Sequence, residues 1–160
     1  MRSPKLTSLV FSLAFLFLLG FSSCEKDACE GLDCGTGQCM AGSCFCDSLH
    51  EGLNCELLAS EKFKGIWTAG DICGSVSTVY ECEVTEGGNE GQLVLDPFGP
   101  DRLPVIALVS NNDLIIPEQA YGQAVIHGRG GISETQEKVT LDYGIDYGGG
   151  ETATCLSTLE

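Results

Sequence analysis

Six of the chain's ten cysteines fall within 27 residues, "CEGLDCGTGQCMAGSCFCDSLHEGLNC" from Cys29 to Cys55, spaced C-x4-C-x4-C-x4-C-x-C-x8-C. So short a segment buries too little apolar surface to hold a fold, and covalent links must stand in for a core. Gly31, Gly35, Gly37, Gly42 and Gly52 suit the tight turns that successive bridges impose. Cysteine used this densely points to an oxidising compartment. Six cysteines admit fifteen pairings, and counting alone does not choose among them. Zinc is the competing use of clustered cysteines, but Cys44 and Cys46 stand closer than the usual C-x2-4-C arm, and no metal is expected here.

The N-terminus explains how the chain would reach such a compartment. Arg2 and Lys5 precede an apolar run from Leu6 to Leu19, and small residues follow in "LGFSSC". This three-part form is that of a signal peptide, whereas a spanning helix needs about 20 apolar residues and other flanks. The run Leu19-Gly20-Phe21-Ser22-Ser23-Cys24 resembles the lipobox of bacterial lipoproteins, in the looser form found in Bacteroidetes. That resemblance implies cleavage before Cys24, a thioether-linked diacylglycerol on its sulfur and an acyl chain on its nitrogen. Two or more acyl chains anchor stably where one does not. Glu25-Lys26-Asp27 resembles the acidic tag of lipoproteins sent to the outer face of the outer membrane. The expected location is therefore the bacterial outer membrane, lipid-anchored and exposed at the cell surface, with its periplasmic face as the alternative.

Removing residues 1–23 takes away two basic side chains and no acid, so the net charge moves from −15 to −17. A chain this acidic is repelled by nucleic acid and by anionic lipid heads. Its membrane contact is expected through the Cys24 lipid alone.

The second half of the cysteine cluster, Cys44-Phe45-Cys46 with eight residues to Cys55 and Glu51-Gly52 between, resembles an EGF-like module. The resemblance implies the pairs Cys29–Cys39, Cys34–Cys44 and Cys46–Cys55. Calcium-binding members carry an Asp or Asn between the third and fourth cysteines, and "MAGS" holds none. The module is expected to act as a stiff spacer.

Beyond Cys55 the texture changes. "ELLASEKF" reads as a short helical turn. After it the apolar signal has period two: Tyr80, Cys82 and Val84 alternate with Glu81 and Glu83, and Val139, Leu141, Tyr143, Ile145 and Tyr147 alternate with polar residues and glycine. Such alternation is what half-buried antiparallel strands require. Shorter candidates lie at 92–95, 104–109, 113–116 and 123–128, divided by "TEGGNEG", "DPFGPD", "SNND", "PEQAYG" and "GRGG", all read as turns. With 65–68 and 152–159 this makes about eight strands, enough for a small antiparallel barrel or a sandwich. "EKFKGIWTAGDIC", with Phe63, Gly65 and Trp67, resembles the opening of lipocalin-like domains, and implies a barrel with Trp67 in its floor. The whole chain resembles small Bacteroidetes lipoproteins in which an EGF-like module precedes a lipocalin-like β domain. The expected division is 1–23 signal peptide, 24–28 lipidated linker, 29–56 EGF-like module and 57–160 β domain.

Three cysteines remain for the β domain, and three cannot all pair. Cys73 follows the first strand and Cys155 lies in the last, so barrel closure favours a Cys73–Cys155 bridge worth about 4 kcal/mol in the loop-entropy picture. Cys82 is then the free thiol, a small buried hydrophobe. Cys73–Cys82 is the competing pairing, and a reactive or intermolecular Cys82 a third possibility.

No enzyme constellation emerges. His50 and His127 are the only histidines. His127 could be drawn with Asp142 or Asp146 as base and orienter, but no serine stands in a nucleophile-elbow context. "GRGG" lacks a P-loop lysine. Asp142, Asp146 and Glu151 would share a calcium ion only if the "GGG" turn folded back. The chain is therefore expected to be non-enzymatic and without cofactor, its β domain binding an extracellular partner or a small apolar ligand. A lipocalin-type carrier or inhibitor is the alternative, separable by whether Trp67, Tyr80, Val84, Leu93, Leu141 and Tyr143 fill the barrel or line a void.

Overall fold

A computed structural model describes residues 27–160. Cys24, the signal segment and the start of the linker lie outside those residues. The chain folds as a small disulfide-rich module followed by a closed antiparallel barrel of eight strands.

The module consists of two ladders, β1 (Gln38–Met40) with β2 (Ser43–Phe45), and β3 (His50–Glu51) with β4 (Leu57–Leu58). Three bridges tie it: Cys29–Cys39, Cys34–Cys44 and Cys46–Cys55. The stretch expected as a helical turn is divided. Leu57 and Leu58 pair with the module, and only Glu61–Phe63 coils, as a 3-10 turn. Phe63, 1% exposed, turns down into the barrel core, and its carbonyl accepts the Trp67 indole N–H at 2.8 Å. That pins the first barrel strand under the module.

The barrel runs up and down through β5 (Gly65–Cys73), β6 (Val76–Glu86), β7 (Gln92–Phe98), β8 (Leu103–Ser110), β9 (Asp113–Tyr121), β10 (Ala124–Ile132), β11 (Val139–Gly148) and β12 (Glu151–Leu159). Each strand pairs with the next, and β12 closes on β5. Alternate residues point inward. Val84, Leu93, Leu95, Val105, Leu114 and Leu141 are among a continuous core of buried side chains, with Trp67 and Tyr80 packed against it. At about 25 cal/mol per Å² of apolar surface, each such side chain contributes about 2 kcal/mol of burial.

Two segments read as turns are strand. "PEQAYG" lies largely within β9 and "GRGG" within β10. The glycines of β10 answer to close packing, not chain reversal. A methyl group on Gly128 would stand 2.6 Å from the Tyr143 Cβ, and one on Gly130 would collide with the Thr140 carbonyl. β10 is drawn so tightly onto β11 that only glycine fits there.

Residues 48–50 of the module meet two barrel loops, β6–β7 and β8–β9. The Asn111 N–H, between β8 and β9, donates to the Ser48 carbonyl at 2.7 Å. Leu49 lies against Gly91, where a methyl group would stand 2.6 Å from its Cδ2. His50 places Nδ1 2.8 Å from Asp47 of the module and Nε2 3.1 Å from Glu90 of the barrel. The hydrogen bond from His50 holds the Asp47 carboxyl below its usual range. One barrel end is thus occupied by the module.

Candidate functional site

At the opposite, distal end the β7–β8 hairpin is joined to its neighbours unusually. Its ladder to β6 runs only from Glu86↔Leu93 to Glu83↔Asp96, and its ladder to β9 only from Ser110↔Asp113 to Leu108↔Ile115. Proline explains both stops. Pro97 has no N–H to offer β6, and Pro117 has none to offer β8. Four of the chain's five prolines, Pro97, Pro100, Pro104 and Pro117, lie in this hairpin and in the facing strand.

Past those stops, side chains replace the ladder. The Gln119 amide imitates a missing strand: its Oε1 accepts the Ile106 N–H at 2.8 Å and its Nε2 donates to the Ile106 carbonyl at 2.6 Å. All four tyrosines of the chain converge on the hairpin tip. The Tyr121 hydroxyl donates to the Pro104 carbonyl. Tyr147 donates to Asp101 at 3.1 Å. Tyr80 accepts the Gly99 N–H at 2.7 Å, and the Arg102 guanidinium lies 3.6 Å from the centre of its ring. Tyr143 packs on Phe98 with ring centres 4.9 Å apart.

Beneath the tip lies Asp71, a charged residue inside the barrel, 1% exposed. Its Oδ2 accepts the Tyr80 hydroxyl at 2.7 Å. Its Oδ1 makes no hydrogen bond within 3.5 Å, with the Tyr143 phenol the donor group close enough to feel the carboxylate. On the same rung, directly opposite it on either side, stand Ser157 and Thr78, whose hydroxyls are also buried and unpartnered. Three oxygens without hydrogen bonds in one place are costly, since each unsatisfied buried group forfeits about 1–3 kcal/mol. Burial first, and then Asp71, raises the Tyr80 and Tyr143 phenols above their ordinary range. Both remain neutral donors at any physiological pH.

The sequence-derived residues fall around this site in different ways. Cys73 and Cys155 face each other in register, two rungs nearer the rim than Asp71, and are bonded with Cα atoms 4.2 Å apart. Cys82 pairs with Trp67 near the module end, whereas Cys73 pairs with Val76, so a Cys73–Cys82 bridge would have to span most of the hairpin. The Cys82 thiol is free and fully buried. Desolvation, with Asp71 and Asp96 adding to it, pushes it up to about 12. Gly65 opens β5 and Trp67 sits half-buried in the floor.

His127 lies on the outer wall, its ring against Gly144, and pairs with neither Asp142 nor Asp146. Two shallow hollows of about 370 and 420 Å³ lie there and share Arg129 and Asp142. Among the described residues no three His, Cys, Asp or Glu side chains gather as a metal site. Asp71 and the tyrosine latches escaped sequence reasoning. The available signal was parity: Asp71 stands two residues from Ala69 and Cys73, a charge on the inward face of a strand. No family model matches the chain, and no match was found among curated proteins or solved structures.

Proposed function

We propose that the protein is a non-enzymatic component of the bacterial outer membrane, anchored by lipid on Cys24. In this reading the disulfide-rich module is a rigid spacer and the barrel is the binding body, displayed at the cell surface to an extracellular partner. The observation that carries it is the seating of the module. A tether preceding residue 27 enters through the module, the module occupies one barrel end, and the tyrosine-bearing rim stays at the other.

Two further observations support the reading. The inward positions that would line a carrier's void are occupied by packed side chains, with Leu93 and Leu141 at 0% exposure. That favours recognition at the rim and wall over carriage of a bulky apolar ligand. Burial and two nearby carboxylates push the Cys82 thiol up to about 12, the opposite of what activating a nucleophile requires. The resemblance to small Bacteroidetes lipoproteins adds the lipid and the location.

Intact mass of the membrane-extracted protein tests the anchor. The expected species begins at Cys24 and carries the mass of a diacylglycerol and an acyl chain, and Cys24→Ser releases the protein to the soluble fraction. A mature chain without lipid, or a Cys24→Ser variant that stays on the membrane, refutes the anchor. Protease shaving of intact cells then separates surface display from the periplasmic face.

A further inference from the structure

We propose that the distal half of the β7–β8 hairpin is a flap, and that the Asp71 site beneath it binds the ammonium group of a small amine. This goes beyond the presentation role above and does not depend on the lipid anchor.

The flap follows from where the ladders stop. Between Asp96 and Leu108 the hairpin shares no backbone rung with β6 or β9. Its two arms are bonded to each other, Phe98 opposite Leu103 and Leu95 opposite Val105, so it can swing as a unit. What holds it shut are side-chain contacts: the buried Phe98 and Val105 against the core, and the bonds of Gln119 to Ile106, Tyr121 to Pro104, Tyr147 to Asp101, and Tyr80 to Gly99. Each can break without disturbing a strand pair. A closed ladder would have served stability better, since backbone rungs cost no side-chain entropy.

The ligand class follows from the atoms under the flap. The free Oδ1 of Asp71 can accept a hydrogen bond and calls for a donor. Ser157 and Thr78 hydroxyls accept as readily as they donate, and they flank it on both sides. Three acceptors around one negative charge match the three N–H donors and single positive charge of a primary ammonium. A divalent metal would demand more oxygens, with more charge. Desolvating the ammonium is offset by pairing it with a carboxylate that is itself unpaired. The nearby aromatic wall suits a cation as well: the Tyr80 ring already carries the Arg102 guanidinium at 3.6 Å, so one of its faces takes positive charge. The closed flap and packed lumen limit the rest of the ligand to a few carbons. Opening admits the amine, and re-forming the tyrosine contacts buries it.

The test uses the mature protein and n-butylammonium chloride as probe, with n-butanol and butyrate as controls. NMR titration reads the amides of Asp71, Thr78 and Ser157. The expected result is saturable shifts with butylammonium alone, lost in Asp71→Asn. Deuterium exchange reads the flap: the Ile106 amide should exchange faster than those of the β10–β11 ladder. In Tyr121→Phe, which loses one latch bond, its exchange should rise roughly tenfold, and butylammonium should enter faster. Because Tyr121 lies on the rim, that variant keeps the core intact and reports even where Asp71→Asn is poorly folded. Equal response to butanol, retention of binding in Asp71→Asn, or no saturable shift in the wild type overturns the amine site. An Ile106 amide as protected as the β10–β11 ladder overturns the flap.

Discussion

Replacing Cys73 and Cys155 together by alanine should cost the barrel about 4 kcal/mol while leaving its native shape. The two cysteines are 82 residues apart in sequence, and their bond joins the first and last strands of the barrel. In the loop-entropy picture, a loop of that length raises the free energy of the unfolded chain by roughly 4 kcal/mol. The native seam does not depend on the bond alone, because β5 and β12 continue in register from Leu156↔Ile72 to Leu159↔Ala69. The paired cysteines also pack inside the barrel, Cys155 at 2% exposure, and alanine there gives up a small additional burial term. For a domain of this size, 4 kcal/mol corresponds to a fall in Tm on the order of 20 °C. Urea unfolding followed by far-UV circular dichroism would measure it, with the module's cysteines untouched. The reasoning also fixes a second observable: the uncrosslinked unfolded chain is more expanded, so the denaturant slope should rise. A loss below about 1 kcal/mol with an unchanged slope would refute the entropic account. So would a variant that loses its near-UV signal in water, which would mean that packing, not the crosslink, holds the seam.

Two further outcomes follow from the buried groups. Among the described residues the native protein should present no thiol to iodoacetamide at pH 8 and one, Cys82, in denaturant, because burial and two nearby carboxylates hold Cys82 up to about 12; rapid native alkylation of Cys82 would contradict its place in the core. Tyr80 and Tyr143 make stability depend on pH at the alkaline end. Their native phenols titrate above the unfolded value near 10, so their contribution is whole below that pH and is lost as pH rises past it, because the unfolded chain then releases protons that the native state keeps. The slope should reach about 1.4 kcal/mol per pH unit for each phenol, and absorbance at 295 nm should show two of the four tyrosines ionising only as the barrel unfolds. Four tyrosines ionising together near pH 10 in a folded barrel would sink this.

Much of the barrel was legible because its signal is local. Val139, Leu141, Tyr143 and Ile145 alternate with polar residues and glycine over a full strand, and each is buried at 4% or less. The number of strands follows from such alternation and from the turns between. Where the reading failed, one residue type served two purposes. Gly128, Gly130 and Gly131 look like a turn because glycine permits reversal, but here they allow two strands to approach closely. Pro117 and Gly122 bracket what looks like a loop, yet Pro117 ends only the ladder to β8; the ladder to β10 bulges there and resumes at Gln119. A strand edge has two sides, and a one-dimensional pattern does not say which side a proline silences.

The same ambiguity hid the candidate site. Each of its parts is ordinary in sequence: an aspartate two residues before a cysteine, four scattered tyrosines, four prolines near turns. They become a site only through register. Pairing Asp71 with Ser157 on one side and Thr78 on the other gathers three polar side chains from positions 86 residues apart at the extremes. Pairing Asp96 with Glu83 fixes where the β7 ladder runs out, and with it which part of the hairpin must be held by tyrosines. Register in turn is set by the apolar alternation, since a slip of one residue would send Asp71 outward and expose the core face. The buried, unpaired carboxylate is therefore carried by the same pattern that builds the barrel, and its cost is met by the core around it. Removing that cost would need only Asp71→Leu, a change that keeps the alternation intact. The carboxylate is thus no requirement of the alternation; its one observed bond, from the Tyr80 hydroxyl that also takes the Gly99 N–H, ties it to the hairpin tip.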